Sequence, residues 1–196
     1  MTAQGFLKLA IESIGSPRDV ARLLLSANIS REAVWTAFAL VVAMNAFVYG
    51  LGLVVAPPVG ALPVFLAQPI GYAVVECVSL AGMIVSITLV GHMMGGAGRL
   101  TDVALLLVWV QALNILVQLA STVLMLAIPP LAGIVGVIAI AIGFWILLNF
   151  IDEAHGLGNM LKSFFVFVLA LFALGIVLSV ALTMAGMTPE GMMGNV

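Results

Sequence analysis

The chain has 196 residues, of which 64% are hydrophobic and 7% charged, against roughly 45–50% apolar and about 25% charged in a soluble domain. So few charges cannot cover an aqueous surface, and several apolar stretches reach the roughly 20 residues that a helix needs to cross a bilayer. Six basic against eight acidic residues give a formal net charge of -2, and the lack of a basic tract argues against nucleic acid as a partner.

Residues 1–30 are mixed in character. They lack the ordered basic start, apolar core and small-residue cleavage site of a signal peptide, so the amino end is expected to be retained. Ser16 and Pro17 suit the cap and first turn of a short amphipathic helix running to about Ser26. Its apolar residues Val20, Leu23, Leu24 and Ala27 oppose Arg18, Asp19 and Arg22, a pattern suited to the membrane interface or to the side of a bundle.

Five apolar segments follow, at about 33–55, 70–93, 103–127, 131–151 and 162–185, each long enough for one crossing. Pro57 with Pro58, Gly95 to Thr101, Pro129 with Pro130, and Asp152 to Asn159 divide them. Residues 59–67 are too short to cross and read as an outer loop or interfacial piece, with a re-entrant segment as the alternative. The expectation is an all-α polytopic membrane protein. It divides into an amino-terminal segment 1–30, a five-helix domain 31–186 and a short tail 187–196 on the opposite side.

Orientation follows from the basic residues, which accumulate in cytoplasmic connections. Lys8, Arg18, Arg22 and Arg31 precede the first crossing, Arg99 lies between the second and third, and Lys162 follows the fourth, so all six fall on one side. A cytoplasmic amino terminus and an opposite-side carboxyl terminus are expected.

Glu76 falls inside the second apolar segment, where a bare charge is expensive, so it needs protonation, polar partners or a hydrated cavity. With Ser79 it marks one helix face, while Gln111, Asn114, Gln118 and Thr122 form a polar stripe on the third segment. The antiparallel run of these segments places Glu76 level with Gln118. A hydrogen bond between them is expected, supplemented by Gln111, Asn114 or Asn45. Small-residue pairs such as Ala139 with Gly143 suit close helix approach.

Catalytic and metal signals are weak. Cys77 stands alone in an apolar segment, supporting neither a disulfide nor a cysteine cage. Asp152, Glu153 and His155, with His92 approaching from the same side, suit loop solvation or headgroup contact better than a metal. Gly95, Gly96 and Gly98 lack the downstream Lys and hydroxyl of a phosphate loop and read as a turn. No serine has a base and orienting acid at its depth. Neither a cofactor nor enzymatic activity is expected.

The run His92-Met93-Met94-Gly95-Gly96-Ala97-Gly98-Arg99-Leu100 resembles the Gly-Gly-x-Gly connection of the Yip-domain family of small multispan membrane proteins. Gly143-Phe144-Trp145 and the later Asp152-Glu153-Ala154-His155-Gly156-Leu157, ending near Lys162, are similar to that family's passage through a His-Gly loop into its fifth crossing. The resemblance spans about residues 15–185 and implies a five-helix Yip-type fold, of bacterial type and in the inner membrane. Eukaryotic relatives are similar to trafficking adaptors that associate with small GTPases. The short amino-terminal region here leaves little room for an adaptor domain, so the GTPase is not carried over.

The leading expectation is a non-enzymatic scaffold that organises lipid or protein assemblies, with bilayer lipids and another membrane protein or a second copy as partners. Its contact surfaces would be residues 1–30 and two loops carrying Gly95, Gly96, Gly98, Arg99, Asp152, Glu153, His155, Gly156 and Lys162. The rival is a channel or transporter for a small solute, ion or proton, using Glu76 and the Gln111, Asn114, Gln118 stripe. A dry, satisfied interface favours the first, and a cavity continuing to both faces favours the second.

Overall fold

A computed structural model describes residues 3–55, 57 and 66–184. Among them the chain forms seven helices: α1 (Ala3–Gly15), α2 (Pro17–Ser26), α3 (Arg31–Val55), α4 (Pro69–Met93), α5 (Leu100–Ala127), α6 (Pro129–His155) and α7 (Met160–Met184). Helices α3 to α7 are the five long apolar ones expected, each of sufficient length to span a bilayer. Most of segment 59–67 and all of the tail 187–196 lie outside the described residues; Leu66 and Ala67 form a turn leading into α4.

The helix boundaries follow local chemistry. Pro17, Pro69 and Pro129 each sit in a first turn, where a missing N–H costs nothing and the fixed φ suits the helix. Ser30 caps α3 by accepting the Ala33 N–H at 3.2 Å. Gly156, at φ 63°, ends α6 in the left-handed conformation that glycine adopts without strain. Only Ile128 separates α5 from α6.

The five spans close into a ring in the order α3, α4, α7, α6, α5, with α4 also reaching across to α5 and α6. Lipid tails are as apolar as these side chains, so close packing rather than removal from water holds the ring together. Ile84, Ile87, Val103, Ile151 and Val166 form its tightly packed interior. Successive spans alternate in direction, which brings Arg31, Arg99 and Lys162 to one end, the basic end, where α1 and α2 also dock.

The amino-terminal region contains one more helix than expected. Helix α2 lies where Ser16 and Pro17 placed it, but α1 precedes it. Val20, Ala21 and Leu24 of α2 pack on Leu106 and Trp109 of α5 and on Ile146 and Phe150 of α6, with Phe6 and Leu9 of α1 completing the cluster. Phe6 meets Trp109 edge-on, ring centroids 5.2 Å apart. Buried Ser13 accepts the Trp109 Nε1–H at 3.0 Å and donates to the Leu9 carbonyl at 2.8 Å. Replacing Ser13 with alanine leaves that indole N–H without a partner, at an expected cost of about 2 kcal/mol. Trp109→Phe in the same chain should recover most of it, as read by reversible unfolding in mixed micelles.

Candidate functional site

The intramembrane polar residues meet inside the ring. Gln111 Nε2 donates a short hydrogen bond to Glu76 Oε1, and Asn45 Nδ2 donates to the same oxygen at 3.4 Å. Gln118 Nε2 donates to Asn45 Oδ1 at 3.0 Å, and Asn114 Nδ2 to Gln111 Oε1 at 2.9 Å. The network therefore joins α3, α4 and α5, as the polar stripes required. The direct Glu76 to Gln118 bond is not formed, because Asn45 stands between them as a relay. Level counting along antiparallel neighbours assumes side-by-side packing, whereas α5 packs chiefly on α3 and α6 and only crosses α4. Ser79 is half-buried and takes no part in this network among the described residues.

This network lines a cavity of about 570 Å³ that also takes in Tyr72, Ser121, Gly136 and Phe144. Above it Tyr72 stacks on Tyr49 with ring centroids 4.1 Å apart, and the Tyr49 hydroxyl donates to the Leu66 carbonyl at 2.8 Å. Toward the basic end the lining stops at Val110 and Leu147, about two helical turns short of His155.

His155 lies at that end, packed between α4 and the turn that follows it. It is buried, and its Nδ1 lies 3.1 Å from the Ile151 carbonyl. Its Nε2 has no hydrogen-bond partner among the described residues. The imidazole presses on Gly91, Gly96 and Gly98. A Cβ at Gly91 would overlap the ring, one at Gly96 would lie 2.6 Å from the His155 Cβ, and one at Gly98 2.7 Å from its Cδ2. The Ala97 N–H donates to the His155 carbonyl at 3.0 Å. The two glycine-bearing loops are thus one structural unit, a histidine and its cradle. Of the three glycines in the Gly95–Gly98 turn only Gly95, at φ 86°, has a backbone that itself favours glycine.

The third cluster fastens the amino-terminal helices. Arg18 Nη2 donates to Asp152 Oδ2 at 2.7 Å and its Nε to Asn149 Oδ1 at 3.1 Å, while Arg22 Nε donates to Glu153 Oε1 at 2.8 Å. Asp152 Oδ1 also accepts the Asn159 N–H at 3.1 Å. The hydrogen bond to Glu153, aided by that residue's charge, raises the Arg22 pKa above its ordinary value. Asp152, His155 and Gly98 are therefore internal fasteners; of the other expected contact residues Gly95, Arg99, Gly156 and Lys162 are exposed, and Gly96 and Glu153 are half-buried. His92 approaches His155 with centroids 6.2 Å apart, but among the described residues no group of three potential ligands converges on a metal-sized site.

Sequence reading missed Asn149, Ser13 and Tyr49, and it grouped Gly91 with the glycines of the turn, whereas Gly91 lies within α4 against the His155 ring. The signal for Asn149 was present: with Asp152 and Glu153 it forms a polar edge on α6, matching the spacing of Arg18 and Arg22.

No curated protein and no solved structure matches the chain. Residues 11–182, from within α1 to the last turns of α7, match the family model of the Yip1 domain. The Gly95–Gly98 turn and the His155–Gly156 corner that carried the resemblance lie inside that match and touch each other, and the chain belongs to the Yip1 domain family.

Proposed function

We infer that this protein is a non-enzymatic scaffold of a bacterial inner membrane. It holds its basic end toward the cytoplasm and uses the α1–α2 cap, the 94–99 turn and the 156–159 turn as a contact face. Its partners are bilayer lipids together with another membrane protein or a second copy of itself. The observation that carries this reading is the fastening of the basic end: His155 is wedged between Gly91, Gly96 and Gly98, and Arg18 and Arg22 hold α2 on the end of α6. A rigid, fastened face suits recognition better than passage. The basic bias toward that face supports the orientation.

The second reading, transport of a small solute, ion or proton, rests on the 570 Å³ cavity around Glu76. Reconstitution in liposomes separates the two. Wild type and Glu76→Gln should show the same baseline proton and solute flux, because the amide preserves an acceptor for Gln111 and Asn45. In cells, a photoreactive side chain at Arg99 or Lys162 should give one discrete protein adduct that the same group at the lipid-facing Phe172 does not. Flux that disappears with Glu76→Gln would replace the scaffold reading by transport.

A further inference from the structure

The polar cavity has a neighbour. An apolar groove of about 350 Å³ runs along the outside of α5 and α6, beneath Leu7, Ile11 and Ile14 of α1. Val110, Asn114 and Val117 of α5 and Ala139 and Gly143 of α6 line both spaces. The cavity and the groove are therefore two sides of one cleft between these helices. The threshold is low, because its α6 side consists of a methyl group and a hydrogen: a Cβ built on Gly143 would have only Asn114 Oδ1 within reach, at 4.0 Å.

We propose that this cleft binds a single-chain lipid with a hydroxyl-bearing, phosphate-free head, of the monoacylglycerol type. The chain lies in the groove and the head crosses the Gly143 threshold into the Glu76 cavity. The groove opens from membrane-spanning helices, so the medium that fills it is hydrocarbon. Ile11 and Ile14 extend the apolar wall where α1 overhangs it, and Asn114 is the sole side chain with polar atoms among the groove's lining.

The cavity specifies the head by what it lacks. Among the described residues Asn114 donates to Gln111 while its Oδ1 accepts nothing, and Glu76 Oε1 takes two donors while Oε2 has no partner. The unused Asn114 acceptor calls for a donor, and Oε2 for a group that pairs with the carboxyl in either protonation state; a hydroxyl, which both donates and accepts, serves both. A phosphate brings only acceptors and a charge, into a membrane depth where charge is costly and beside a carboxyl group. Hydroxyl heads cross into such a site at far smaller desolvation cost.

The test uses the full chain in nanodiscs and a monoacylglycerol carrying a photoreactive diazirine in its chain, with labelled peptides identified by mass spectrometry. Labelling should concentrate on α1, α5 and α6. Unlabelled monooleoylglycerol should displace it about tenfold better than lysophosphatidylglycerol or oleate. Gly143→Leu, which plugs the threshold, should reduce labelling about tenfold, whereas Gly143→Ala should retain it. Asn114→Leu should abolish the preference for the hydroxyl head while leaving the groove intact, and this variant decides the matter alone if Gly143→Leu elutes as aggregate. Labelling spread over α3, α4 and α7 in proportion to their lipid exposure, equal competition by the phosphate-headed or carboxylate lipid, or indifference to both Leu variants would each overturn the proposal.

Discussion

Asp152→Ala is expected to destabilise the protein by about 3 kcal/mol and to free α2 from the bundle. The Asp152 side chain is only 5% exposed, while that of Arg18 keeps 45% of its surface in contact with solvent. Breaking a fully buried pair costs roughly 3–5 kcal/mol because the surviving charge is stranded. Here the surviving guanidinium reaches water and keeps Asn149, which places the loss near the lower limit. The Asn159 N–H loses its acceptor as well. Asp152→Asn retains a carbonyl for Asn159 and should cost about half as much. Reversible unfolding in mixed micelles gives the energies, and hydrogen exchange over residues 17–26 reports release of the helix. Unchanged exchange there would mean that the Val20, Ala21 and Leu24 packing holds α2 unaided.

The neighbouring pair responds to different variables. Arg22 and Glu153 are more exposed, so molar salt, with a Debye length of about 3 Å, should weaken their attraction. Alkali should not. The hydrogen bond to Glu153 raises the Arg22 pKa. A basic group raised on folding contributes fully below its unfolded pKa and loses that contribution only as pH climbs through the folded one. For arginine both lie above the working range, so titration to about pH 10 leaves the pair charged.

The second large effect lies in the histidine cradle. Gly91→Val should cost about 3 kcal/mol, the upper range for overpacking a filled core, because the new Cβ overlaps the His155 ring. The imidazole has no side step available: it is buried, it is fixed through Nδ1 to Ile151, and Gly96 and Gly98 confine it from the other loop. Removing the ring with His155→Ala creates a cavity and is itself destabilising. In the double variant the valine fills part of that space, so the two losses should fall short of additivity by about 1–3 kcal/mol. Additive losses in the double-variant cycle would show that the glycine and the histidine act independently.

These two clusters show where the sequence was legible and where it was not. Prolines at 17, 69 and 129, Ser30 and Gly156 are local signals, readable within a turn of the residue, and the helices begin or end beside them. The five spans followed from apolar runs longer than any soluble packing requires. The polar stripe on α5 announced a shared interior site, since such groups in hydrocarbon must find each other. Which of them would bond depended on how far α4 and α5 cross, and crossing is set by side-chain packing around the whole ring. Arg18 and Asp152 are separated by 134 positions, so each looked like a solvated charge on its own helix. The Gly95–Gly98 turn read as a matter of backbone freedom, which accounts for Gly95. Gly96 and Gly98 answer instead to a ring delivered by another helix, and no local pattern contains it. Helix α1 was masked by Lys8 and Glu12, which interrupt its apolar residues although they form an i,i+4 ion pair at 3.8 Å.

With Ile128 alone between α5 and α6, these helices behave as the arms of a pair of tweezers. At 1.5 Å per residue the 27 residues of α6 make an arm about 40 Å long, so a splay of about 5° at the joint moves the far tip by about 3 Å. That tip is where α2 straddles both arms, with Val20, Ala21 and Leu24 on one surface and Arg18 and Arg22 gripping the end of α6. The clasp therefore acts at the longest lever arm from the joint, so the contacts of α2 resist a splay of α5 and α6 more effectively than equal contacts placed beside Ile128 would.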